Sequence, residues 1–300
     1  MSAPEARIVD PHATGGWATV RAYVELTKPR IIELLLITTV PAMVVAAGGW
    51  PDSLLVLSTL IGGTLSAGGA NTINQVIDRD IDRVMKRTRN RPLPTDRVGV
   101  TAALVFGVIL GMAGFLWLWV TTNLLAASLS TAGLLFYVFV YSLYLKRSST
   151  QNIVIGGAAG ATPVLVGWAA VTGSLSLPAW IMFAIVFFWT PPHFWALALR
   201  YTKDYRKAGV PMLPVVVGEK MTLQHIVLYS IVVAGVSLLL GPVVPMGFIY
   251  TTTAIVLGVM LIVGAERLRR RATHPMTYFG FTNLYLAGVF LAMAVDTLLG

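Results

Sequence analysis

The chain has 300 residues, of which 56% are hydrophobic and only 12% charged, and its mean hydropathy is +0.76. Soluble domains carry about a quarter charged residues, so a soluble globular protein is excluded and the chain reads as membrane-embedded helix. No cysteine is present, which rules out disulfides, zinc thiolates and catalytic thiols. The net charge of +9 raises nucleic acid as a partner, but the placement of the basic residues argues against it.

Residues 1–25 are mixed polar and lack the apolar stretch of a signal peptide, so no cleavable signal is expected. They read as a polar cytoplasmic segment ahead of one membrane domain, 26–300, which no linker or low-complexity stretch divides. Nine apolar runs of roughly the 20 residues that cross a bilayer are predicted near 31–49, 53–77, 98–120, 123–145, 152–172, 178–199, 223–242, 245–265 and 277–298. Four bases precede the first run (Arg7, Arg21, Lys28, Arg30) and seven follow the second, from Arg79 to Arg97. Lys146 and Arg147 follow the fourth, five lie between Arg200 and Lys220, and four between Arg267 and Arg271, which accounts for all 22. The other loops carry none. That is the positive-inside distribution, and it predicts a multi-pass protein of the cell inner membrane, N-terminus cytoplasmic and C-terminus outside. The fold class expected is all-α and polytopic.

Glu33, early in the first run, is expected to play a structural role, paired with Arg30 or with another base at the cytoplasmic end. The second run ends in NQVIDRDIDRVMKRTRNR (74–91). There Asn74, Asp78 and Asp82 recur every four residues, and each step rotates a helical side chain by only about 40°, so the three line one stripe. Asp80 points away. Mg²⁺ takes oxygen ligands, typically one or two carboxylates plus substrate phosphates, and the flanking bases suit a diphosphate. The competing reading is a juxtamembrane loop solvated by water.

Pro163, Pro191 and Pro192, with Gly156, Gly157 and Gly160, interrupt the fifth and sixth runs, either because they line a cavity or because small residues allow close helix packing. In the sixth run, FFWTPPHFWALALR (187–200) puts His193 among Trp189, Phe194 and Trp195. An ionisable side chain within a span usually faces the interior, and this one suits a flat aromatic or metalloporphyrin ligand unless a neighbouring carbonyl simply satisfies it. RYTKDYRKAGVPMLP (200–214) follows, with Asp204 among Lys203, Arg206 and Lys207, either completing a second cation site or neutralising its neighbours. RPLP (91–94) and PMLP (211–214) echo each other four spans apart, a faint sign of two related halves. His12, His225 and His274 look peripheral, Asp296 interfacial, and RLRRR (267–271) a topology anchor touching anionic lipid.

NxxxDxxxD (74–82), MKRTRNRPLP (85–94), LKR with TQNIVIGGAAGA (145–161) and TPPHFWALALRYTKDYRKAGVPMLPVV (190–216) resemble the protohaem IX farnesyltransferases, or haem O synthases, of the UbiA superfamily of intramembrane prenyltransferases. The resemblance runs from LTKPR (26–30) to the last span. It implies nine transmembrane helices around a central cavity open to the cytoplasm, and a polyprenyl diphosphate held through Mg²⁺ by two aspartate motifs. The first motif is Asn74, Asp78 and Asp82. The second, usually DxxxD, falls on Arg200 and Asp204, so one carboxylate is replaced by a base. Lys28, Arg87, Lys146, Arg147 and Lys203 are the expected diphosphate clamp, and His193, Trp189 and Trp195 the expected haem-binding residues. The substrates implied are farnesyl diphosphate and haem b, with product passed to a haem A synthase or to terminal oxidase assembly. A quinone precursor or chlorophyll-like acceptor, an anion transporter and an assembly factor are the competing readings.

Overall fold

In the computed structural model the described residues are 15–300, and the side chains of 30–36 fall outside that description. Arg7 and His12, and the expected pair of Arg30 with Glu33, lie outside the described residues. Thirteen helices follow in order: α1 (Gly16–Thr27), α2 (Pro29–Ala47), α3 (Ser53–Ile77), α4 (Arg79–Val84), α5 (Val100–Thr121), α6 (Leu124–Ser148), α7 (Asn152–Thr172), α8 (Leu177–Arg200), α9 (Thr202–Lys207), α10 (Leu213–Val216), α11 (Gly218–Leu238), α12 (Phe248–Arg269) and α13 (Pro275–Leu299). Among the described residues eight helices are long and apolar enough to cross a membrane: α3, α5, α6, α7, α8, α11, α12 and α13. The remaining predicted run, 31–49, falls on α2, a 19-residue helix. The run at 223–242 begins five residues early, at Gly218, because its first turn is polar and hydropathy registers only the apolar remainder.

The N-terminal segment is less separate than its polarity implied. Residues 16–27 form α1, whose Ala22 and Leu26 pack with Leu93, Val98 and Ala103 in a small buried cluster. Its opposite face leaves Trp17, Val20 and Val24 exposed, an apolar stripe at helical spacing one residue before α2.

Small residues set the tightest helix contacts. A Cβ added to Gly69 of α3 meets the Gly107 carbonyl oxygen of α5 at 2.6 Å, and one added to Gly114 meets the Ser66 backbone nitrogen at 2.8 Å. The two backbones approach as only side-chain-free positions permit. Helices α7 and α8 continue through Pro163, Pro191 and Pro192 without a break. In α6, residues Phe136–Leu145 widen into a π-helix, where Ser142 Oγ donates to the Tyr137 carbonyl five residues back (2.7 Å). Such widening often marks functional walls. It sits here beside the NxxxDxxxD stripe, since Asn74 Nδ2 donates to Ser142 Oγ at 2.9 Å.

Candidate active site

A cavity of about 310 Å³ opens between α2, α3, α6, α7 and α8. Its polar end is lined by Lys28, Asn74, Asp78, Asp82, Arg87, Arg91 and Lys146, and its depth by small and apolar residues of α3, α6 and α7 with Trp189, Thr190 and Phe194 of α8. The glycines of α7 serve both purposes weighed from sequence. Gly156, Gly157 and Gly160 all line the cavity, while a Cβ on Gly156 meets Tyr141 at 2.4 Å and one on Gly157 meets Thr190 at 3.1 Å. Only Gly160 faces open space.

The stripe begins on α3, and Asp78 caps its C-terminus before α4 carries Asp82. Asp78 and Asp82 are 1% and 2% exposed. Burying two carboxylates is costly unless they are paired, and each has a cation. Lys146 Nζ lies 2.5 Å from Asp78 Oδ2, Arg91 Nη1 lies 2.8 Å from Asp82 Oδ2, and Lys28 Nζ donates to Asn74 Oδ1 at 2.7 Å. Asn74 Nδ2 also donates to Asp78 Oδ2 at 2.8 Å. Asp78 Oδ1 is buried without a hydrogen-bond partner, an anionic oxygen left over in the middle of the site. Burial, and after it the nearby Arg91, push the Lys28 ammonium down to about 7.

The expected residues divide by helix geometry. Lys28, Arg87 and Lys146 line the cavity, with the Arg87 guanidinium 5.9 Å above the Tyr201 ring. Arg147 does not. It turns to the surface, where it holds Asp80 at 2.7 and 2.8 Å and donates to the Ile77 carbonyl, and these bonds hold the Asp80 carboxyl at about 2. Asp204 and Lys203 stand off the cavity wall, because α9 presents the next residue, Tyr205, to it. Among the described residues no three acidic or histidine side chains gather as a metal cage.

On α8, Trp189 lines the cavity and its indole Nε1 donates to the Thr282 carbonyl at 2.7 Å. His193, four residues on and 6% exposed, stacks between Trp189 and Phe279 with both centroids at 4.2 Å. Its Nδ1 meets Thr282 Oγ1 at 2.7 Å. Because that hydroxyl donates to the Phe279 carbonyl at 2.6 Å, Nδ1 is the donor. His193 therefore backs the cavity wall rather than forming it. Trp195, six residues from Trp189, falls on another face of the helix and packs edge-on to His225 and Tyr229.

The residues missed from sequence are Arg91, Asn71 and the stacked pair Tyr137 and Tyr141 (5.3 Å), all lining the cavity. Arg91 was signalled by its place in the RPLP turn, which folds back on Asp82. Nothing in the hydropathy of α6 distinguishes its tyrosines from lipid-facing ones.

Residues 35–293 match the UbiA prenyltransferase family. Over 296 residues the chain is 52% identical to a protoheme IX farnesyltransferase of Clavibacter sepedonicus, with 97% of each chain covered. It is 51% identical to protoheme IX farnesyltransferase 2 of Saccharopolyspora erythraea over 100% of this chain and 92% of that one. Among solved structures, a digeranylgeranylglyceryl phosphate synthase superposes with a TM-score of 0.78 at 20% identity, covering 94% of this chain and 99% of that one. A UbiA homolog from Archaeoglobus fulgidus bound to DMAPP and Mg²⁺ superposes with 0.65 at 16% identity, over 91% and 99%. The helical architecture, the match over 35–293 and relatives at half identity along the whole chain lead to one conclusion: this chain belongs to the UbiA prenyltransferase family, in its protoheme IX farnesyltransferase branch.

Proposed function

We propose that this protein transfers the farnesyl group of farnesyl diphosphate to a vinyl group of haem b, with addition of water, to give haem O. The observation that carries this reading is the buried Asp78–Asp82 stripe set against Lys28, Lys146 and Arg91 at the polar end of an apolar cavity. The name carried by its relatives supports the acceptor. In bond terms, the allylic C–O bond breaks and diphosphate leaves with the electron pair. The farnesyl C1 then bonds to the vinyl terminus, and water adds to the inner vinyl carbon with loss of a proton.

Asp78 and Asp82, with Asn74 beside them, are the residues that would hold Mg²⁺. The partnerless Asp78 Oδ1 and an all-oxygen donor set fit a hard cation that takes its other ligands from phosphate. When bound, the metal neutralises charge on the departing diphosphate. Lys28, Lys146, Arg91 and Arg87 take up the rest, as fixed cations in a water-poor site. The apolar depth keeps water from the allylic cation. Trp189 and Phe194 present aromatic faces to the acceptor, and His193 holds Trp189 in place. Lys203 and Asp204 belong to the rim where the anionic substrate arrives. The positive-inside distribution of the basic loops supports a rim facing the cytoplasm, from which the product would pass to haem A synthesis or oxidase assembly.

The test is mass spectrometry of purified protein incubated with haem b, farnesyl diphosphate and Mg²⁺, with an EDTA control. The expected product is haem carrying one farnesyl group and one water, formed only with the metal. Folded protein that binds farnesyl diphosphate yet makes none would move the acceptor to a quinone-type aromatic.

A further inference from the structure

Lys28 sits in a backbone conformation that few lysines adopt. Its φ of 55° and ψ of 63° are left-handed, and it precedes Pro29. Non-glycine residues pay for left-handed geometry, and a following proline restricts the backbone further. Such strain persists only where its surroundings enforce it.

Lys28 caps α1, its own N–H donating to the Glu25 carbonyl at 3.3 Å, and two amides of α3 hold the same helix end. The last turn of a helix leaves carbonyls without partners, and in α1 three successive ones are taken up by α3 or its neighbours. Asn71 Nδ2 donates to the Thr27 carbonyl at 3.0 Å, and Gln75 Nε2 donates to the carbonyls of Leu26 at 2.8 Å and Glu25 at 3.4 Å. Both amides are buried, Gln75 at 1% exposure. Gln75 Oε1 is buried with no hydrogen-bond partner, a cost borne by a side chain whose donor is fully used. Asn74, between them in sequence, takes the Lys28 ammonium itself. One turn of α3 therefore holds the three carbonyls that precede Lys28 from two points and receives its charge at a third.

We propose that Asn71 and Gln75 are positioning residues, which clamp the C-terminal carbonyls of α1 so that the strained Lys28 delivers its ammonium to the diphosphate end of the cavity. The inference rests on the reading of that end as a diphosphate site. It assigns Gln75, which does not line the cavity, an effect on one substrate only.

A double-mutant cycle on the full-length protein tests it, since coupled residues depart from additivity. Gln75→Met keeps the shape and removes the donor. Its KM for farnesyl diphosphate is expected to rise about tenfold while that for haem b stays within about twofold. In a Lys28→Met background, Gln75→Met is expected to change nothing further. Equal effects in the two backgrounds, or a parallel rise in both KM values, would overturn the proposal, because a merely structural glutamine behaves that way. If Gln75→Met does not fold, Asn71→Ala, which leaves both Gln75 bonds in place, is carried through the same cycle with the same criteria. Calorimetric binding of farnesyl diphosphate reads the cycle independently of turnover, so a failure to farnesylate haem leaves this test standing.

Discussion

Asp78→Asn separates the metal's share of the site from that of the bases. The substitution keeps the side-chain shape and removes one of the two buried charges of the stripe. At an effective dielectric of about 20, a unit charge about 4 Å from another contributes about 4 kcal/mol, close to a thousandfold in rate. Mg²⁺-dependent farnesyl transfer is therefore expected to fall by about a thousandfold. The structure gives the opposite sign for metal-free anion binding. Lys146 is held by Asp78 at 2.5 Å, and losing that carboxylate's charge frees the ammonium for a competing anion. Inorganic pyrophosphate with EDTA present is expected to bind Asp78→Asn more tightly than it binds the unaltered protein, by calorimetry in detergent. The unfolding midpoint should drop modestly, since a charged hydrogen-bond pair worth about 1.5–3 kcal/mol is weakened. Turnover within threefold of the unaltered protein, or pyrophosphate binding weakened alongside turnover, would refute the assignment of Asp78 to the metal and of Lys146 to the diphosphate.

Lys28 links the site to pH. Its ammonium lies at about 7, against an ordinary 10.5. Between those values the unfolded chain holds a proton that the folded protein has released, so stability rises with pH across that window; Lys28→Met should flatten the rise in thermal melts. Bound diphosphate restores the charge, so binding above pH 7 should take up about one proton, read by calorimetry in buffers of different protonation enthalpy. His193→Ala removes the ring stacked on Trp189 and is expected to raise KM for haem b while leaving farnesyl diphosphate binding intact. Loss of both would mean that the change had only unfolded the protein. Gly160→Leu fills open space in the cavity wall, so the ratio of kcat/KM for geranyl over farnesyl diphosphate should increase; an unchanged ratio would place the prenyl chain elsewhere.

Eight of the nine expected helical spans, among the described residues, and the four-residue spacing of Asn74, Asp78 and Asp82 were legible from composition and period alone. Hydrophobic length, charge placement and a four-residue repeat are local properties, and the chain shows them without folding. The identity of the bases at each carboxylate was not. Lys146 and Arg147 are adjacent in sequence, yet one faces Asp78 in the cavity and the other Asp80 at the surface, because consecutive helical residues point about 100° apart. The same angle separates Asp204 from Tyr205, and three-dimensional stacking makes His193 a support for Trp189 rather than a wall of the cavity. Arg91, Asn71 and Gln75 acquire their roles only when α1, α3 and the 85–99 loop come together. What local sequence indicated was a stripe of oxygen ligands set among bases at one end of the apolar helices. Which side chains meet at that stripe was decided by packing, since only contacts between distant segments bring Lys146 to Asp78 and Arg91 to Asp82 out of 22 bases.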